Sequence, residues 1–152
     1  MFYGIVFLIM SKIATLEDAI SIAALAHKGQ KEKGGISYIL HPLRLMLQMK
    51  TEQEMIAAVL HDVVEDSDWT IEQLAEKGFS DEILTAVECL THTEDEDYEK
   101  YIERVQSNEI ARKVKLADLE DNMNIRRITK TLTEKDFKRL EKYHKTWRKL
   151  NS

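Results

Sequence analysis

The sequence has one cysteine, one proline and five glycines among 152 residues, and only 7% of it is aromatic. A single cysteine excludes an intramolecular disulfide and fits a reducing, cytoplasmic compartment. With so few proline and glycine breakers, and with abundant Leu, Ala, Glu and Lys, the chain leans strongly helical. A long apolar run is also missing. Residues 1–10, Met1 to Met10, are uncharged and apolar, but they are too short to span a bilayer, so no membrane partner is expected. They also lack the basic start and small-residue cleavage site of a secretory signal. They read as an N-terminal extension ahead of a natural beginning at Met10-Ser11-Lys12, either an upstream start codon or a short interaction segment. A net charge of −5, with no aromatics interleaved among basic residues, argues against nucleic acid as a partner.

What is present is ordinary for a globular domain: 43% hydrophobic and 32% charged residues. The length fits one domain, residues 11–152, with a sizeable core. No repeat, linker or low-complexity segment interrupts it. Cys89 falls in phase with Ile83, Leu84, Val87 and Leu90, which marks it as apolar filler rather than a nucleophile.

Helix starts recur along the chain. Thr15-Leu16-Glu17-Asp18 opens a helix that runs to His27. A glycine-bearing basic loop, Lys28 to Ser37, follows, and Tyr38-Ile39-Leu40 returns the chain to the interior. Pro42 suits the first position of the next helix. Thr51-Glu52-Gln53-Glu54 has the form of a capping box and opens a helix ending at His61-Asp62. Thr70 caps residues 71–77, closed by Gly78, and Ser80 caps residues 81–90. Two helices, 98–106 and 109–125, and a last one capped by Thr133 and running to Leu150 complete the chain. No period-two apolar pattern competes, so the fold is expected to be all-α, with about seven to eight helices. The C-terminal third is dense in Lys and Arg while residues 94–99 are acidic; these read as solvated faces that contact each other, with phosphate attraction by the basic stretch as a second reading.

The stretch Val59-Leu60-His61-Asp62-Val63-Val64-Glu65-Asp66 carries the chemistry. Apolar residues run into a His-Asp pair, and two more carboxylates follow one turn later. An uncompensated buried Asp beside a buried His is costly, and a divalent cation is the usual compensation. A helix end with a satisfied His and solvated acids is the other reading. His41 sits one short helix, a turn and a second helix before His61, and two antiparallel helices can bring the two together. In Val114-Lys115-Leu116-Ala117-Asp118, the acid adjoins an apolar stripe, and Asn122 lies on the same face four residues later.

His41, His61-Asp62 and Asp118 together resemble the signature of the HD metal-dependent phosphohydrolase superfamily. More closely, the chain is similar to the hydrolase domain of Rel/Spo-type alarmone enzymes and small alarmone hydrolases. The blocks that carry the resemblance are Ala26-His27-Lys28-Gly29-Gln30, Tyr38-Ile39-Leu40-His41-Pro42, Leu60 to Asp66, and Lys115-Leu116-Ala117-Asp118 with Asn122-Met123; the resemblance covers about residues 22–128. The resemblance implies an all-helical domain that removes the 3′-pyrophosphate of ppGpp or pppGpp with Mn²⁺. It implies His41, His61, Asp62 and Asp118 as metal ligands, Glu65 and Asp66 as catalytic acids, and Asn122 close to the substrate. Glu65 and Asp66 lie near enough to the ligands to orient a water or handle a proton. Lys28, Lys31 and Lys33 can meet substrate phosphates as point charges, or form only a solvated basic loop. His27 is expected to support the site rather than ligate, and His92 and His144 to lie on the surface.

The chain departs from the family pattern at the substrate side. The family's early loop carries an Arg-Lys pair around guanine where this chain has Glu32-Lys33, and Ile125 stands where a Thr is usual. An acid there loses the stacking and phosphate attraction of a guanidinium. No synthetase domain is expected, the chain ending where one would begin. The leading expectation is a nucleotide phosphohydrolase with ppGpp as first candidate; the alternative is a nucleotide-binding sensor without turnover.

Overall fold

Four threonines start four helices in the same way. In a computed structural model that describes residues 13–32, 34–128 and 130–152, Thr15, Thr51, Thr70 and Thr133 each accept a hydrogen bond from the N–H three residues on. Asp18, Glu54, Gln73 and Asp136 return the bond to the cap's own N–H. Each such cap satisfies otherwise orphaned donors and contributes about 0.5–2 kcal/mol. These caps open α1 (Leu16–Ala26), α3 (Glu52–Leu60), α4 (Ile71–Glu76) and α8 (Glu134–Leu150); α2 (Leu40–Met46), α5 (Asp81–Leu90), α6 (Tyr98–Ser107) and α7 (Glu109–Asn122) complete an all-α fold. An isolated bridge between Lys31 and Ser37 is the one extended pairing among the described residues. None of the helices there is long and apolar enough to cross a membrane.

The α3 helix is the centre. Ile56, Ala57, Ala58, Val59 and Leu60 are buried without interruption, so every side of its C-terminal half is covered. Ile56, Val59 and Leu60 join Ala19, Ile22 and Ala23 of α1 and Ile83 and Val87 of α5 in one apolar cluster. Ala57 and Ala58 join Leu45 of α2 with Val114 and Leu119 of α7 in a second. The two small alanines let α2 and α7 approach α3 closely, which brings the three site-bearing segments together.

Two boundaries differ from expectation by more than one residue. The second helix begins at Leu40, not Pro42, because Ile39 already has helical dihedrals and the His41 N–H bonds Tyr38 O at 2.8 Å. Pro42 is still within the first turn, where its missing N–H has no intrahelical partner to lose. Helix α7 stops at Asn122 instead of Ile125, because Asn124 caps a 3-10 turn, Ile125–Arg127, and leaves Ile125 exposed. Gly78 takes φ +97° after α4 and so closes it as its position suggested. Cys89 is half-buried against the second apolar cluster. The N-terminal extension of residues 1–10 lies outside the described residues, as does Lys33.

Candidate active site

The buried end of α3 delivers His61 into the interior. Its Nδ1 donates to Ala58 O at 2.8 Å, which fixes the tautomer and leaves Nε2 as a lone pair. That Nε2 is buried, lies 2.9 Å from Asp62 Oδ2, and has no hydrogen-bond partner among the described residues. On α2, His41 is held in the same fashion: Nδ1 donates to Asp121 Oδ2 at 2.7 Å, and Nε2 faces Asp118 Oδ1 at 3.2 Å and Asp62 Oδ2 at 3.9 Å. The two imidazole rings stand edge to face with centroids 5.3 Å apart. Ligand atoms of His41, His61 and Asp62 lie within 4.8 Å of one another, a set that could hold a metal ion. With both imidazoles neutral, two nitrogen lone pairs and two carboxylates converge in a buried space, a donor set that suits a divalent transition metal, and the orphaned Nε2 of His61 is the atom such an ion would satisfy.

The surroundings hold these groups in place. Asp118 accepts from Lys115 Nζ at 2.9 Å and from Asn122 Nδ2 at 2.5 Å. The hydroxyl of Tyr38 donates to Asp62 Oδ2. Burial alone would lower the His41 pKa, but the carboxylates of Asp118, Asp121 and Asp62 outweigh it and push it up to about 9. The cluster therefore attracts positive charge. Burial works against the Asp118 carboxylate, yet Lys115 and the two imidazoles keep it well below its ordinary range.

Glu65 and Asp66 occupy the turn just past Asp62, and both are exposed. Glu65 accepts from the His92 N–H at 3.0 Å. Partial desolvation, then the neighbouring charge of Asp62, raises both carboxyls above their ordinary values. Gln30 joins this turn to the early loop: its Nε2 donates to Asp66 O at 3.0 Å and its Oε1 accepts from His27 Nδ1 at 2.9 Å. His27 is buried against Tyr38, in a supporting place rather than among the four converging groups. His92 is half-buried on Tyr101, not on the surface.

A cavity of about 470 Å³ opens beside the cluster, reached through Tyr38 and His41. Lys31, Arg126, Arg127 and Arg139 outnumber the one lining acid, Glu32, and leave the cavity net cationic; Asn122 and Asn124 add amides, and Ile36 and Ile128 are its apolar walls. So the sequence-predicted His41, His61, Asp62 and Asp118 come together, Glu65 and Asp66 flank them, and Asn122 and Lys31 border the cavity. Lys28 is exposed and outside that lining. The basic C-terminal third divides: Arg126, Arg127 and Arg139 reach the cavity, while Lys149 pairs with Glu99 of the acidic segment at 2.8 Å.

Sequence reasoning missed Tyr38, Arg44, Asp121 and Arg127. Asp121 lies three residues beyond Asp118, on the same helical face, and that spacing could have found it. Glu32 also differs from its expected setting. It is enclosed by two guanidiniums, accepting from Arg44 Nη2 at 2.8 Å and from Arg127 Nη1.

Residues 19–132 match the family model described as the HD domain. A guanosine-3′,5′-bis(diphosphate) 3′-pyrophosphohydrolase of Aquifex aeolicus is 32% identical over 120 residues, covering 71% of this chain and 17% of that protein. An enzyme of the same name from Vibrio cholerae is 40% identical over 67 residues, covering 41% of this chain and 10% of its own length. The chain thus spans between 10% and 17% of these relatives. The solved structure of a metazoan ortholog of SpoT, described as hydrolysing ppGpp, superposes with a TM-score of 0.74 at 25% identity, covering 91% of this chain and 86% of that one.

Proposed function

The chain belongs to the HD domain family, and we propose that it is a metal-dependent phosphohydrolase that removes the 3′-pyrophosphate of ppGpp, pppGpp or a closely related nucleotide. The observation that carries this reading is the convergence of His41, His61, Asp62 and Asp118 at the mouth of a cationic cavity of nucleotide size. The names of the Aquifex and Vibrio relatives and of the metazoan structure support the substrate.

We assign the four converging residues as ligands of Mn²⁺, with Asn122 and Lys115 holding Asp118, Asp121 holding His41, and Tyr38 holding Asp62. When bound, the cation supplies a Lewis acid that acidifies water and offsets charge on phosphorus oxygens. Glu65 and Asp66, with raised pKa values and open to solvent, accept the proton lost by the attacking water and return one to the 3′ oxygen of the departing nucleotide. Lys31, Arg126 and Arg139 draw the nucleotide's remaining phosphates into the cavity. A single cysteine suits a reducing, cytoplasmic site of action.

Purified protein incubated with Mn²⁺ and ppGpp is expected to release GDP and pyrophosphate, and Asp62→Ala to release neither. Absence of product from wild-type protein with manganese bound and the fold intact would break the link to ppGpp. Tight nucleotide binding in that case would favour a sensor.

A further inference from the structure

Glu32, Arg44, Asp121 and Arg127 close a ring of four charges. Arg44 reaches Glu32 Oε1 through Nη2 at 2.8 Å and Asp121 through Nε at 2.8 Å and Nη2 at 2.9 Å. Arg127 reaches Glu32 Oε2 through Nη1 and Asp121 Oδ2 through Nη2 at 2.8 Å. Each guanidinium bridges both carboxylates, and each carboxylate bridges both guanidiniums. The four residues come from the early loop, α2, α7 and the 3-10 turn, so the ring ties four separate segments together. The carboxylates are well covered, with 11% of the Glu32 and 6% of the Asp121 side chain exposed, so these are not the screened pairs of an open surface.

Asp121 is the member that faces the metal cluster. Its Oδ2 already accepts from His41 Nδ1, Arg44 Nη2 and Arg127 Nη2. We propose that Glu32 is a positioning residue for the metal centre: by holding the far sides of Arg44 and Arg127, it fixes Asp121 and through it the orientation of His41. This rests on the assignment of His41 as a ligand. Glu32 is also the charge that brings the ring to neutrality. Without it, two guanidiniums confront one carboxylate, and a net positive charge stands next to a site that must accept a dication. Geometry argues against Glu32 as a reader of the nucleobase, because one of its oxygens is engaged by Arg44 and the other by Arg127. The acid that departs from the family pattern on the substrate side therefore acts on the metal side.

The test is Mn²⁺ titration of metal-stripped protein by calorimetry, with the melting temperature recorded for each variant. Glu32→Gln is expected to weaken Mn²⁺ binding roughly 3- to 10-fold, below the loss from removing a direct partner of a ligand. Glu32→Asp, which keeps the charge on a shorter arm, is expected to fall between the two and guards against a variant that does not fold. Arg126→Gln, a cavity guanidinium outside the ring, is expected to stay within about twofold of wild type in Mn²⁺ affinity. Unchanged Mn²⁺ affinity in folded Glu32→Gln would overturn the proposal, as would an equal loss in Arg126→Gln. Wild-type protein that binds no Mn²⁺ would overturn both this proposal and the ligand assignment. Protein that binds Mn²⁺ but leaves ppGpp intact would overturn only the substrate.

Discussion

Asp121 Oδ2 accepts a hydrogen bond from His41 Nδ1 at 2.7 Å, joining α7 to α2 across 80 positions of sequence. A carboxylate in that place commits the imidazole to one tautomer and turns Nε2 toward Asp118 and Asp62. Asp121→Asn keeps the shape but loses the charge, and its amide can present an N–H to His41 and reverse the tautomer. The expected outcome is a loss of Mn²⁺ affinity of about 10- to 100-fold, read by titration of the metal-stripped protein. An affinity equal to wild type would show that the bond does not orient the ring.

Glu65 is close enough to feel the charge of Asp62, and it accepts a hydrogen bond from the His92 N–H at 3.0 Å. In the proposed mechanism it handles protons and does not hold the metal. Glu65→Gln should lower kcat by about 10²- to 10⁴-fold, the usual worth of a positioned acid or base. Mn²⁺ affinity should stay unchanged. Loss of metal together with activity would instead make Glu65 a ligand.

Glu54, at the opposite end of α3 from His61, offers a pH prediction. Its carboxylate accepts from Lys113 Nζ at 2.7 Å and from the N–H groups of Lys50 and Thr51, and Lys113 first, then these amides, hold its pKa below the ordinary 4.5. A depressed carboxyl stabilises the fold fully above its unfolded value and loses that contribution as pH falls through the folded one. Glu54→Ala should cost about 1–2 kcal/mol at neutral pH through the lost cap. In denaturant melts the gap from wild type should narrow below about pH 4.5. A gap that stays constant into acid would assign the loss to packing.

The elements that sequence revealed are those set by short-range rules. A Thr bonded to the amide three residues on, or an unbroken apolar run ending in His61-Asp62, is written within one or two turns of chain. The four converging residues were legible because each sits beside an apolar phase that must turn inward. What escaped was long-range and polar. Arg44, Asp121 and Arg127 matter through contacts with one another and with Glu32, and no periodicity links positions 32, 44, 121 and 127. Glu32 read alone is an acid in the wrong place; its meaning depends on guanidiniums supplied by other elements. Ile125 similarly left α7 because Asn124 competes for a backbone amide, a local capping choice outweighed in the sequence by the helical pattern before it.

Arg126 tests whether the cavity recognises phosphate. It lines the cavity but is exposed and lies outside the four-charge ring, so its removal is expected to leave His41, His61, Asp62 and Asp118 and their supports in place. A guanidinium that attracts the substrate equally in the ground and transition states changes KM and leaves kcat alone. Arg126→Gln should therefore raise KM for ppGpp roughly 5- to 20-fold at low salt, with kcat nearly unchanged. Because exposed charge is screened over about 10 Å at 0.1 M salt, the difference from wild type should shrink as salt is added. A fall in kcat at unchanged KM would place Arg126 against the reacting phosphate. A salt-independent rise in KM would mean that Arg126 shapes the cavity rather than attracting the nucleotide by charge.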